Sequence, residues 1–295
     1  MSNMLTWSKN QLSFIGCDAD YTSADIVVFG APFDATTSYR SGTRDASRVM
    51  RGESFSIETY SPYQNKDLED YAVFDGGDLD LPFGNPSAAL DRIQKTISSV
   101  FADQKRPLMI GGEHLVTLAG VRAAVERYPD LKVIQFDAHA DLRDCYMGEK
   151  LSHATVMRRC TEILQPDSLF QFGIRSGDRS EWTWGQEHVW CCPFNFSRLD
   201  DILPLLAGKP VYLTIDLDVL DPSAFPGTGT PEAGGVNFDQ LLQALIKTFQ
   251  LSVVACDLTE LAPGLDPSGI ATAAALKVLR ELILAWSNEK LHDDL

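Results

Sequence analysis

Short apolar runs rich in Val, Ile, Leu and Phe alternate along this chain with longer stretches whose apolar positions recur every three or four residues. The first pattern predicts strands over 25–31, 71–75, 107–111, 132–137, 168–173, 211–216 and 252–257. The second predicts helices over 115–128, 155–164, 238–249 and 270–286, and another that opens at Asn85-Pro86, a cap followed by proline at the first helical position. Several of these strands are apolar on both faces, as in Val27-Val28-Phe29 and Val133-Ile134. Parallel strands covered by helices on both sides have that character. Alternating strand and helix units therefore predict an α/β fold, a three-layer α/β/α arrangement around a parallel sheet. No repeat, low-complexity linker or break in composition interrupts the chain, so residues 1–295 read as one domain.

The ends of these strands carry the chemistry. Asp137-Ala138-His139-Ala140-Asp141 closes one apolar run and Asp216-Leu217-Asp218 closes another. Successive side chains of a strand alternate between faces, so the first motif aims three ligand-type groups one way and the second aims two. A third run ends in Gly111-Gly112-Glu113-His114, adding an imidazole, and a fourth is followed by Glu260. In open α/β sheets ligands bind beyond the carboxyl ends of the strands, where all four groups fall. His114 and His139 with Asp137, Asp141, Asp216 and Asp218 are too many ligands for one zinc. They suit two divalent ions with a shared carboxylate, the arrangement of a two-metal hydrolase. His188 and His292 lie outside these segments and read as surface or satisfied structural residues.

Composition narrows the partners. A formal charge of −16 argues against nucleic acid, which requires basic patches; it would attract a cationic small molecule, and it equally serves to keep the protein in solution. No apolar stretch is long enough to span a bilayer, and the first residues lack the basic and apolar segments of a secretion signal. The six cysteines have neither disulfide nor zinc-finger spacing and read as reduced thiols, which points to the cytoplasm.

Gly111 to His114, Asp137 to Asp141, Ser152-His153-Ala154-Thr155, Asp216 to Pro222, Pro226 to Glu232 and Asp257 to Glu260 resemble, in that order, the motifs of the ureohydrolase family, which includes arginases and agmatinases. The likeness runs from about Gly30 to Arg280 and implies an arginase-like three-layer sheet. It also implies two Mn²⁺ ions per chain. One would be held by His114, Asp137, Asp141 and Asp216, the other by Asp137, His139, Asp216 and Asp218, with Asp137 and Asp216 bridging. Oxygen-rich, octahedral surroundings suit Mn²⁺, although affinity alone favours zinc. By the same resemblance Asp141 orients the attacking water, Glu260 grips the guanidinium and His153 passes a proton to the departing amine. An ordinary imidazole pKa of about 6.5 suits that last role.

The loop from Leu142 to Ser152 resembles the agmatinase form, and its Asp144 and Glu149 offer carboxylates for a distal ammonium. The expected reaction is hydrolysis of agmatine, a small cationic guanidino substrate, to putrescine and urea. Arginine or guanidinobutyrate would be the alternatives within the family. A single-zinc deacetylase of the same general fold is a remoter one, because it would not need His114, Asp141 and Asp218 together. The segment 173–178 resembles agmatinases as well and is expected near the site. Family resemblance further implies a homo-oligomer, trimeric or hexameric. Three departures from the family pattern stand out: Glu113 in place of aspartate, Ala154 in place of glycine, and Asp45-Ala46-Ser47 in a loop usually of Gly-Pro type. None removes a ligand position.

Overall fold

All seven expected strands are present, joined by an eighth at one edge. They are β1 (Ile26–Ala31), β2 (Val73–Asp78), β3 (Arg106–Gly111), β4 (Lys132–Phe136), β5 (Leu169–Phe172), β6 (Trp190–Cys192), β7 (Pro210–Asp216) and β8 (Ser252–Thr259). Every pairing within this eight-stranded sheet is parallel, and its order is β2-β1-β3-β8-β7-β4-β5-β6; a separate antiparallel pair joins Tyr60–Ser61 to Lys66–Asp67. The computed structural model describes residues 12–287; the first residues and His292, both read from sequence above, lie outside the described residues.

Eight helices clothe the sheet: α1 (Ala46–Glu53), α2 (Pro86–Ala102), α3 (Thr117–Arg127), α4 (Val156–Thr161), α5 (Arg179–His188), α6 (Leu199–Leu206), α7 (Phe238–Thr248) and α8 (Ile270–Trp286). Alternation along the strands divides the core in two. Phe29, Met109, Val133 and Tyr212 pack with Leu90, Ile93 and Ile97 of α2 and with α3 and α4 on one face. Val28, Leu108, Ile134 and Leu213 pack with Met50 of α1 and with α6, α7 and α8 on the other. These are the three layers predicted from the two-faced apolar runs. The four strands at the middle of the sheet, β3, β8, β7 and β4, are the ones whose ends carry the candidate site.

Two differences from the expected elements have local causes. The segment Asp45-Ala46-Ser47, read as a loop, is a short 3₁₀ turn (Thr43–Asp45) that runs straight into α1. Ala46 and Ser47 are buried there, so small size at those positions serves packing. Helices α1, α5 and α6 and strand β6 were not expected. β6 spans three residues, too few to show a period, and α6 carries Pro204 in its interior.

Candidate functional site

His114 opens the 3₁₀ turn after β3, Asp137 follows β4, Asp216 ends β7 with Asp218 in the next turn, and Glu260 follows β8. The chain turns sharply at each place. Gly111 and Gly112 are needed because a Cβ on Gly112 would lie 1.8 Å from the Phe33 carbonyl oxygen, and one on Gly111 would lie 2.7 Å from Thr259. That close approach lets Gly112 accept the Glu260 amide at 3.0 Å while Glu113 donates its own to Phe33 at 2.8 Å. Asp141 and Glu260 both adopt left-handed backbone, with φ of 54° and 65°. Non-glycine residues are held there only where surrounding structure over-determines them, commonly at functional sites.

The six ligand-type residues converge. His114 Nδ1 lies 2.9 Å from Asp141 Oδ2, 3.0 Å from Asp137 Oδ2 and 3.5 Å from Asp216 Oδ2. His139 Nδ1 lies 2.9 Å from Asp218 Oδ2 and 3.7 Å from Asp137 Oδ1. Ligand atoms of His114, Asp137 and Asp216 fall within 4.8 Å of one another, as do those of Asp137, His139 and Asp218, so Asp137 joins two adjoining clusters. Asp216 belongs to the first of these triplets and not to the second. Backbone and side-chain donors fix the carboxylates: the His139 amide donates to Asp137 at 2.6 Å, Gln135 Nε2 to Asp137 at 2.6 Å, the Asp218 amide to Asp216 at 2.9 Å, and the Ala138 amide to Asp218 at 3.1 Å.

Electrostatics say what this arrangement can hold. Asp137, Asp141, Asp216, Asp218 and Glu260 are all buried, and the cations facing them among the described residues are the imidazoles of His114 and His139. Burial, then repulsion from Asp218 and Asp137, drives the Asp216 carboxyl far above the usual range. Burial raises Glu260 in the same way, and it lifts Asp141, beside Asp137, to about 7. Both imidazoles are pushed well above the ordinary histidine range: burial opposes this, but Asp137 and Asp141 outweigh it at His114, and Asp218 and Asp137 at His139. Asp218 Oδ2 makes no hydrogen bond although His139 Nδ1 lies 2.9 Å away. Excess buried negative charge and ligand atoms aimed at a common space fit divalent cations.

A cavity of about 400 Å³ opens over these groups, with His114, Asp141, Asp216 and Glu260 at its base and His153, Tyr146 and Arg143 in its wall. Glu113 shapes that wall. It is buried and accepts the Thr36 amide at 2.8 Å and the Thr36 hydroxyl at 2.5 Å. Thr36 Oγ1 in turn receives the His153 amide at 3.1 Å, and Ser38 Oγ contacts His153 Nε2 at 3.2 Å. Burial first, then the charges of His139 and His114, lowers His153 to about 4, so its imidazole is neutral at pH 7 rather than partly protonated as its ordinary value implies.

The acidic groups of the wall differ from those expected. Asp144 and Glu149 are exposed and do not line the cavity; Asp144 is paired with Arg159 at 2.7 Å. Asp178 and Glu181 line it instead, 3.2 and 3.3 Å from Arg143, whose guanidinium stacks over Tyr146. They come from the N-terminus of α5, where Asp178 caps the helix and Glu181 completes the capping box. The segment 173–178 does lie at the site: Ser176 and Gly177 line the cavity. Its Arg175 donates to the carbonyls of Asp218, Val219 and Glu232, pinning the turn after β7. His188 is exposed, stacks on Trp184 with ring centroids 4.0 Å apart, and meets the Trp184 carbonyl at 2.8 Å through Nδ1, a surface residue outside the cavity.

A parallel three-layer sheet with two carboxylate–imidazole clusters at its carboxyl rim defines a metal-dependent hydrolase of the arginase fold. The model of the arginase family matches residues 24–285, and the chain belongs to that family. It is 43% identical over 277 residues to agmatinases of Halalkalibacterium halodurans and Bacillus subtilis, matches that cover 92% of this chain and 96% of each relative. A Clostridium difficile crystal structure described as a candidate agmatinase superposes with a TM-score of 0.88 at 46% identity, covering 91% of this chain and 99% of that one.

Proposed function

We propose that this chain hydrolyses agmatine to putrescine and urea, as one catalytic domain over residues 1–295 acting in the cytoplasm as a homo-oligomer. The observation that carries the reading is the buried ligand cluster beneath a cavity whose wall adds two carboxylates, Asp178 and Glu181, against one arginine. That balance favours a substrate cationic at both ends. Two Mn²⁺ ions would be held by His114, Asp137, Asp141 and Asp216 and by Asp137, His139, Asp216 and Asp218. Bound there, they supply Lewis acidity and lower the pKa of a water from 15.7 to about 7.

The chain's own groups do the rest. Asp141, fixed by its strained backbone, orients the attacking water toward the guanidinium carbon. Glu260 is held by the His114 amide at 2.7 Å and pairs with the planar guanidinium, for which a carboxylate is the matching partner. Water adds its oxygen to that carbon, the carbon–nitrogen bond to the alkyl chain breaks, and the oxygen stays in urea. Neutral His153 takes up a proton and delivers it to the departing amine nitrogen. Arg143 keeps guanidinobutyrate in view, since its guanidinium could receive a distal carboxylate if it left Asp178.

Urea release by the Mn²⁺-loaded protein from agmatine, arginine and guanidinobutyrate in parallel tests the reading. Agmatine should be strongly preferred. Preference for guanidinobutyrate would transfer the specificity to Arg143, and urea from none of the three would overturn the proposed reaction.

A further inference from the structure

Below the cavity floor, a chain of hydroxyls leads from His114 to a carboxylate that the proposed reaction does not use. His114 Nδ1 faces Asp137, Asp141 and Asp216, so that nitrogen must offer its lone pair to any ion there. The ring proton then sits on Nε2, 2.9 Å from Thr214 Oγ1. Thr214 receives that proton's hydrogen bond and passes its own to Asp257 Oδ1 at 2.6 Å. Tyr212 donates to the other oxygen, Oδ2, also at 2.6 Å. Asp257 thus accepts at both oxygens, and these bonds hold its carboxyl in place although burial pushes its pKa above the usual carboxylate range.

The burial of this chain is complete. Asp257 and Thr214 have no solvent exposure and His114 and Tyr212 have 1% each. Among the described residues no ion pair offsets Asp257. An uncompensated buried carboxylate is costly, and its retention calls for a use. Room for the Tyr212 hydroxyl is made by Gly120 of α3, where a Cβ would lie 2.0 Å from it. Sequence pattern marked Asp257 only as part of a motif; β7 and β8 bring it beside Thr214, the two being partners in the sheet register.

We propose that Asp257, acting through Thr214, is a positioning residue for His114: it fixes the tautomer and ring orientation of that imidazole and so sets the affinity of the first cluster for its cation. The proposal rests on the reading of His114 as a metal ligand. Partners of this kind orient ligating histidines and raise their basicity, and losing one costs about 10- to 100-fold in metal affinity.

Mn²⁺ binding to the purified full-length chain, measured by electron paramagnetic resonance of the free ion, tests this without recourse to turnover. Thr214→Val keeps the shape and removes the relay; it should weaken one of two Mn²⁺ sites by about 10- to 100-fold and leave the other unchanged. Thr214→Ser restores the hydroxyl and should bind both ions as the parent does. Asp257→Asn should fall with Thr214→Val, and thermal melts of the variants establish that each is folded. Parent-like affinity in Thr214→Val, or equal loss in Thr214→Ser and Thr214→Val, would overturn the relay while leaving the metal reading intact. A parent chain that binds no Mn²⁺ would instead sink both.

Discussion

His153 shows how burial redefines a residue whose type alone was legible. The motif that contains it points to proton transfer, but the neutral state follows from packing beneath the Thr36 loop, 117 positions away in sequence. The depressed pKa makes a stability prediction. An imidazole at about 4 when folded and 6.5 when unfolded binds fewer protons in the native state between those values. Its contribution is therefore fully present above pH 6.5 and is lost as pH falls toward 4, by about 3 kcal/mol. His153→Gln removes that titration. Denaturant melts should show its stability falling less than the parent's between pH 6.5 and 4, while turnover drops sharply at all pH values. Asp178 carries a second prediction at this scale. Asp178→Asn keeps a good helix cap and deletes one charge from the cavity wall. The Michaelis constant for agmatine should rise about five-fold with kcat little changed. An unchanged KM would remove Asp178 from substrate binding. The Asp-His ladder was readable because its spacing is local, although Asp137 to Asp141 and Asp218 lie in turns beyond the strand ends and not on the alternating strand positions expected of them. Arg143 and Thr214 were not, and Asp178 was legible only as part of the segment 173–178, because what gives them meaning is a partner brought close by the fold.

Among the elements, the strands and the long helices were legible from their periods, and their boundaries moved by a few residues. β2 extends through Gly76-Gly77 to Asp78, past the expected end, and the reason lies outside its own sequence. Arg51 of α1 is buried and pairs with Asp75 at 2.8 Å and with Asp78, clamping that helix to the strand. Such a network left no mark in a helix that was itself overlooked, since α1 is eight residues long and mostly polar in appearance. Removing one member of a buried ion network leaves charge stranded in the core. Arg51→Ala should thus lower stability by about 3 to 5 kcal/mol. At roughly 2 to 4 °C per kcal/mol for a chain of this size, calorimetry should find Tm lowered by about 10 °C. A shift under a couple of degrees would mean that solvent reaches Asp75 and Asp78 when the arginine is gone.

At the scale of the whole molecule, the same sheet that builds the core gathers five buried carboxylates at its centre, and that concentration couples folding to cation binding. The overall acidity was plain in the composition, yet a net charge of −16 does not reveal where the charge is buried. Without cations, Asp216, Glu260 and Asp141 have carboxyl pKa values raised above the unfolded range, Asp141 to about 7. A raised acid pKa means that the folded state binds more protons than the unfolded chain between the two values. Stability of the chelated protein should accordingly decline as pH climbs from about 4 toward 7, as the folded carboxyls are forced to ionise together. Cations reverse the balance, because they bind the ionised ligands of the native state and add RT ln(1 + [L]/Kd), about 2.7 kcal/mol at one hundred times Kd. The Tm difference between Mn²⁺-loaded and chelated protein should therefore widen steadily from pH 5 to pH 7.5. A gap that is constant across that range would mean that the ions do not replace protons on the buried carboxyls, and the cluster would then owe its stability to hydrogen bonding alone.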